Sequence, residues 1–199
     1  AQQAQPATGV PEVSLPPSPR GAAQVQVAGA WAKTPDGGQR YEGGKWITVD
    51  YGRPILRGRQ QIFGSGADYG KAVSEGGPVW RAGANETTRL VTQAALEIGG
   101  TTIAPGAYNV FVELKDGAWT LVLSNQPLQP KYDPNDKVNL YGVYNYNPTY
   151  DIVRVPMTLM SSSVSVEQFT IGFVNMTYSG GSLAMWWDNA FALADFEVR

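Results

Sequence analysis

Beyond about residue 20 the dominant regularity of the chain is alternation. Short runs of β-branched and aromatic residues are separated by Gly, Pro, Asn or Asp. A period of two puts successive side chains on opposite faces of an extended backbone, so the pattern predicts strands with one face buried. The clearest pair is Tyr108–Leu114 and Ala118–Ser124. They flank Lys115-Asp116-Gly117, where Asp-Gly supplies the positive φ that a tight hairpin demands. Phe169–Tyr178 and Ser182–Asp188 flank Ser179-Gly180-Gly181 in the same way, and Phe191–Val198 follows Asn189, which predicts a closing three-strand meander. Lys45–Tyr51, Arg89–Ile98 and Ile152–Leu159 complete the set of candidate strands.

That spacing predicts an all-β chain with little helix, folded as an antiparallel β-sandwich of jelly-roll type. A helix over Glu86–Ile98 is the one rival, and the Val and Thr content followed by Gly99-Gly100 favours strand. In the last meander Leu183, Met185 and Trp187 fall on one face, and Ser182, Ala184 and Trp186 on the other. One tryptophan of the Trp186-Trp187 pair is therefore expected in the core and the other at a groove or edge. Residues 1–20, rich in Pro, Gln and Ala, read as an extended N-terminal arm, and residues 21–199 as a single domain.

Composition changes this picture mainly by exclusion. The 199 residues carry no Cys and no His, which removes thiolate nucleophiles, Ser-His-Asp triads and imidazole-ligated metals. No cofactor and no metal are expected. A net charge of −2 without a Lys/Arg run offers no surface for nucleic acid, and no apolar run has the roughly 20 residues of a membrane-spanning helix. The opening AQQAQPATGVPEVSLPPSP, with no Lys or Arg before Arg20, reads as the mature start of an exported protein after signal-peptide removal, periplasmic or extracellular.

Candidate chemistry concentrates in two segments dense in glycine, arginine and aromatics: Asp50–Gly64 and Gly76–Thr88. On a rigid β scaffold they are expected at one rim, with Tyr51, Arg53, Arg59, Trp80, Arg81, Asn85 and Glu86 as the ligand-binding set. Three guanidinium groups brought together repel one another unless they share something acidic. That acid is either internal, with Glu86 supported by Asp50 or Asp188, or it is a ligand: a carboxylate, a sulfate or a uronic acid, with Asn85 reading hydroxyls and Trp80 or Tyr51 stacking on a sugar. An enzyme would instead pair Glu86 with Asp50, Asp68 or Glu75 as a two-carboxylate glycoside hydrolase.

The remaining features point to structure. The glycines form no phosphate-cradling motif, and Asp133, Asn135 and Asp136 lack the alternation of a calcium loop, so turn chemistry is expected there. The tyrosine-rich run Asn139–Tyr150 is expected to fold its rings onto the domain or, like the arm, to serve as a contact surface for another copy of the chain.

The succession Ser18-Pro19-Arg20, Tyr51-Gly52-Arg53-Pro54, Gly58-Arg59, Phe63-Gly64, Trp80-Arg81-Ala82-Gly83-Ala84-Asn85-Glu86, Gly106-Ala107-Tyr108 and Trp119 resembles domain-of-unknown-function family 2911, a family of exported bacterial proteins. The Trp80–Glu86 block is its most specific part. A longer segment around Ala32–Lys45 and the loop Lys131–Tyr150 depart from the family pattern. The resemblance implies an all-β exported domain and supplies no activity. The expected role is non-catalytic binding of a glycan or small anionic ligand, with a carboxylate-dependent hydrolase or a structural envelope protein as alternatives.

Overall fold

A computed structural model describes residues 14–199. The expected arm therefore lies outside the described residues up to Val13, and Ser14–Pro19 carry no strand. Twelve strands follow: β1 Arg20–Val27, β2 Ala30–Lys33, β3 Gln39–Glu42, β4 Lys45–Gly52, β5 Thr88–Thr92, β6 Leu96–Ile98, β7 Thr101–Ile103, β8 Gly106–Lys115, β9 Ala118–Ser124, β10 Asp151–Pro156, β11 Thr158–Val174 and β12 Gly180–Val198. Among the described residues helix is confined to the four-residue α1, Lys71–Ser74, and two short 3₁₀ turns. The expected all-β, antiparallel class holds.

The strands form a six-stranded sheet ordered β1-β4-β5-β8-β9-β10, a four-stranded sheet ordered β11-β12-β6-β7 and the small β2-β3 ribbon. The Asp-Gly hairpin forms as predicted: Lys115 pairs with Ala118 and Gly117 has φ 73°. The three-strand meander is corrected. β12 does not break at Asn189 but runs from Gly180 to Val198, because Asp188 takes a positive φ of 50° at an irregular pairing with Val166 and the ladder to β11 resumes beyond it. The expected strand Arg89–Ile98 is two strands in different sheets. The Thr92 hydroxyl bonds the Ala94 backbone at 2.7 and 3.1 Å and turns the chain out of the first sheet.

Alternation decides what is buried. Ile47, Val49, Leu90, Val110, Val112, Leu121 and Leu123 of the six-stranded sheet meet Phe169, Ile171, Leu183, Met185 and Trp187 of the four-stranded sheet in one cluster. The two sheets thus contribute to one shared core, and Trp186 projects from the opposite side of β12 from Trp187 against Phe191. Tyr51 ties the layers further: its hydroxyl accepts the Ile171 N–H at 2.9 Å and faces the Ile171 carbonyl at 3.3 Å. Phe111 and Val122 point to the outer face of the six-stranded sheet. There Leu140, Leu128, Val143 and Tyr146 of the segment between β9 and β10 cover them as a second, smaller core.

Candidate functional site

The block Trp80–Glu86 folds as a loop bonded to itself. Trp80 pairs with Val112 through two backbone hydrogen bonds of 2.8 Å, and its indole N–H donates to the Gly83 carbonyl at 3.0 Å. The Thr88 hydroxyl donates to the Ala82 carbonyl at 2.9 Å, and the Arg81 Nη1 group donates to the Asn85 carbonyl at 3.2 Å. Gly52 is obligatory for this packing: a Cβ there would lie 2.0 Å from the Ala84 carbonyl oxygen. The loop consequently rests directly on the end of β4 and presents Asn85 and Glu86 to solvent.

The candidate residues divide into two groups. Trp80 is 1% exposed and packs against Phe63, Trp119, Phe169 and Trp187, while Tyr51 is buried between the layers. Neither ring offers a face to a sugar. Arg53 and Arg59 spend donors on uncharged oxygens: Arg53 on the Phe169 carbonyl at 3.3 Å and the Thr170 hydroxyl at 3.1 Å, Arg59 on the Leu56 and Ile55 carbonyls at 2.9 and 2.7 Å. The Arg59 guanidinium also stands 5.9 Å from the Trp187 ring centroid. Arg81 is buried and pairs with Glu75. Carbonyl dipoles therefore do the work expected of a shared acid, and the carboxylate that meets an arginine of the set is Glu75. Glu86 pairs with Arg20, and Asp188 accepts from the Ile62 N–H and the Ser165 hydroxyl.

Tyr51, Asn85 and Glu86 do share one cleft of about 640 Å³. Arg20, Asp50 and Arg89 supply its other charged groups, and Pro16 and Ser18 form one wall, tied by a 3.3 Å bond from the Asn85 amide to the Ser18 carbonyl. Strand register explains the floor. Asp50 lies opposite Arg89, Arg89 opposite Asn109, and Asn109 opposite Ser124, a polar row across the outer face of the six-stranded sheet. The segment between β9 and β10 buries Asn109 and Ser124 and stops short of Arg89 and Asp50.

Arg89 is the residue that sequence reasoning missed. Its Nη1 group donates to Asn109 Oδ1 at 2.5 Å, and among the described residues it forms no ion pair. Half-burial lowers its pKa below the ordinary guanidinium value, because partial removal from water disfavours the charged form. The available signal was a charge at an outward position of an apolar strand, visible only once β4, β5 and β8 stand side by side. In the tyrosine-rich segment, Tyr146 packs on Phe111 and donates to Asp151 Oδ2 at 2.6 Å, whereas Tyr132 and Tyr144 remain exposed. Asp133 and Asp136 accept backbone N–H groups of residues two and three positions on, the turn chemistry expected of them.

No helix among the described residues is long and apolar enough to cross a membrane. No curated protein and no solved structure matches the chain. The profile of a family described as "Protein of unknown function (DUF2911)" matches residues 36–195, a span that takes in β3 to β11, most of β12, and Asp50, Asn85, Glu86 and Arg89, and leaves β1, β2 and Arg20 outside. The chain belongs to this family of proteins of unknown function.

Proposed function

We propose that the protein is a non-catalytic binding module for a small anionic ligand, a carboxylate or an acidic sugar, held in the cleft between Arg20 and Arg89. The observation that carries this reading is the Arg89 guanidinium, half-buried, open to the cleft and without a carboxylate partner. A guanidinium offers five N–H donors in a planar fork, and a bidentate acid is its natural complement. Asn85 adds an amide for hydroxyl or carboxyl oxygens, and Asp50 and Glu86 repel ligands of excess negative charge. With the Tyr51 and Trp80 rings buried, recognition rests on hydrogen bonds and charge, which favours the acidic group over a neutral glycan face.

Titration calorimetry with galacturonate, citrate and sulfate, and with galactose as neutral control, tests the proposal. Arg89→Gln keeps a donor for Asn109 and removes the charge. A charge-assisted bond contributes about 1.5–3 kcal/mol, so the variant is expected to weaken acid binding roughly 10- to 100-fold. Galactose binding as tightly as galacturonate, with Arg89→Gln unchanged, overturns the reading. Because Asp50 and Glu86 line the same cleft, a hydrolase is the second reading, and it requires that Asp50→Asn abolish turnover of an acidic glycoside while binding persists.

A further inference from the structure

Asp188 carries a buried charge that the first cleft does not use. The residue is 7% exposed, sits in the middle of β12 with φ 50°, and faces the irregular pairing with β11. Its Oδ2 accepts the Ile62 N–H at 3.2 Å and its Oδ1 accepts the Ser165 hydroxyl at 2.9 Å. Each carboxylate oxygen accepts one hydrogen bond, so each keeps a free lone pair. Among the described residues no Lys or Arg stands within ion-pair distance of it. Arg59, which lies over the neighbouring Trp187, is engaged with the Leu56 and Ile55 carbonyls. A buried carboxylate with neutral donors alone is costly, and the cost falls when a cation arrives.

Two clefts open onto this group. One, of about 410 Å³, is walled by Phe63, Tyr69 and Asp116; the other, of about 360 Å³, by Trp186 and Phe191. Both share Met160, Ser161, Asp188 and Ala190, and no Lys or Arg lines either. The aromatic walls are paired, Phe63 with Tyr69 at 6.1 Å and Trp186 with Phe191 at 5.7 Å. Neither cleft shares a lining residue with the Arg89 cleft.

We infer that Asp188 anchors a second binding site, on the β11-β12 side of the domain, for a small organic cation bearing an ammonium group. The carboxylate supplies the counter-charge, ring π-systems and the polarizable Met160 supply an apolar surface that attracts cations, and the volume fits a ligand of a few carbon atoms around one nitrogen. A bare divalent metal is the wrong occupant. A protein site for one is built from several converging ligands, and the described residues contain no group of three or more acidic side chains placed to share an ion.

Calorimetry and thermal shift with choline, and with 3,3-dimethylbutan-1-ol as its uncharged isostere, test this on the whole protein. Choline is expected to bind at one site per chain and to raise Tm by about 5 °C at a hundredfold excess over Kd, whereas the isostere leaves Tm unchanged. Asp188→Asn is expected to weaken choline binding at least about tenfold. If that variant fails to fold, Met160→Lys serves instead: Met160 is 40% exposed, so a Lys side chain can reach water there, and the new charge repels the ligand. Equal binding of choline and the isostere, undiminished binding in Met160→Lys, or no saturable binding up to about 10 mM overturns the inference.

Discussion

Replacing Trp80 by Ala separates the two roles this residue can hold, interior support and ligand contact. The ring lies among four others: 4.8 Å from Phe169 and 5.8 Å from Phe63 in edge contact, and 6.2 Å from both Trp119 and Trp187, the last stacked. Truncation of a buried large aromatic to Ala costs about 3–5 kcal/mol. Aromatic pairs add about 0.5–1.5 kcal/mol each, which places this site at the upper end. The Gly83 carbonyl also loses its donor, at about 1 kcal/mol. Against a native stability of about 5–15 kcal/mol the loss is a large fraction of the whole. With a urea m-value of about 2 kcal/mol per molar, the unfolding midpoint is expected to fall by roughly 3 M, followed by far-ultraviolet circular dichroism. A fall under about 0.5 M, together with loss of ligand binding, refutes the interior role and makes Trp80 a recognition residue.

Two further substitutions probe the supports of the Arg89 cleft and its neighbourhood. Gly52→Ala drives a Cβ against the Ala84 carbonyl oxygen, a backbone atom that cannot swing aside, so the loop bearing Asn85 and Glu86 must lift; the expected cost is about 1–3 kcal/mol, read as a Tm lower by several degrees, and an unchanged Tm contradicts the tight seating. Burial, and then the bond to the Asp151 carboxylate, raises the Tyr146 pKa above its ordinary 10.0. The folded chain keeps a proton that the unfolded chain releases, so this stabilisation is complete below about pH 10 and is lost as the pH rises beyond it. Tyr146→Phe is expected to flatten the loss of urea midpoint between about pH 9 and 11, and parallel losses in variant and wild type exclude the assignment.

The parts of the fold legible in the sequence are those specified locally. Asp116-Gly117 marked a hairpin because Gly takes the positive φ of a tight turn without strain, and Leu183, Met185 and Trp187 read as one face because alternation is a property of a single strand. β1 was missed. Its Gly-Ala-Ala-Gln-Val-Gln-Val run is weakly apolar and becomes a strand through eight paired positions with β4. The passage from β5 to β6 depends on one threonine hydroxyl, and the continuity of β12 through Asp188-Asn189 depends on its partner β11, so tertiary pairing overrode a good turn signal.

The site was legible as a region and not as a set. Trp80, Arg81, Asn85 and Glu86 do form one unit, a loop seated on β4, yet the order of residues does not say which donors meet carbonyls and which stay free. Arg53 and Arg59 found oxygens on β11 and in their own turn. Arg89 became visible only when three strands brought Asp50 and Asn109 beside it.

The segment between β9 and β10 seals part of the outer sheet with a small apolar cluster of its own, independent of the main interior. Sealing of this kind decouples foldability from recognition. Lengthening or shortening the cover redraws the boundary between hidden and accessible surface, and the layers beneath keep their registration. A scaffold so arranged can acquire new specificities by editing one connection, with the body of the molecule left as a constant platform.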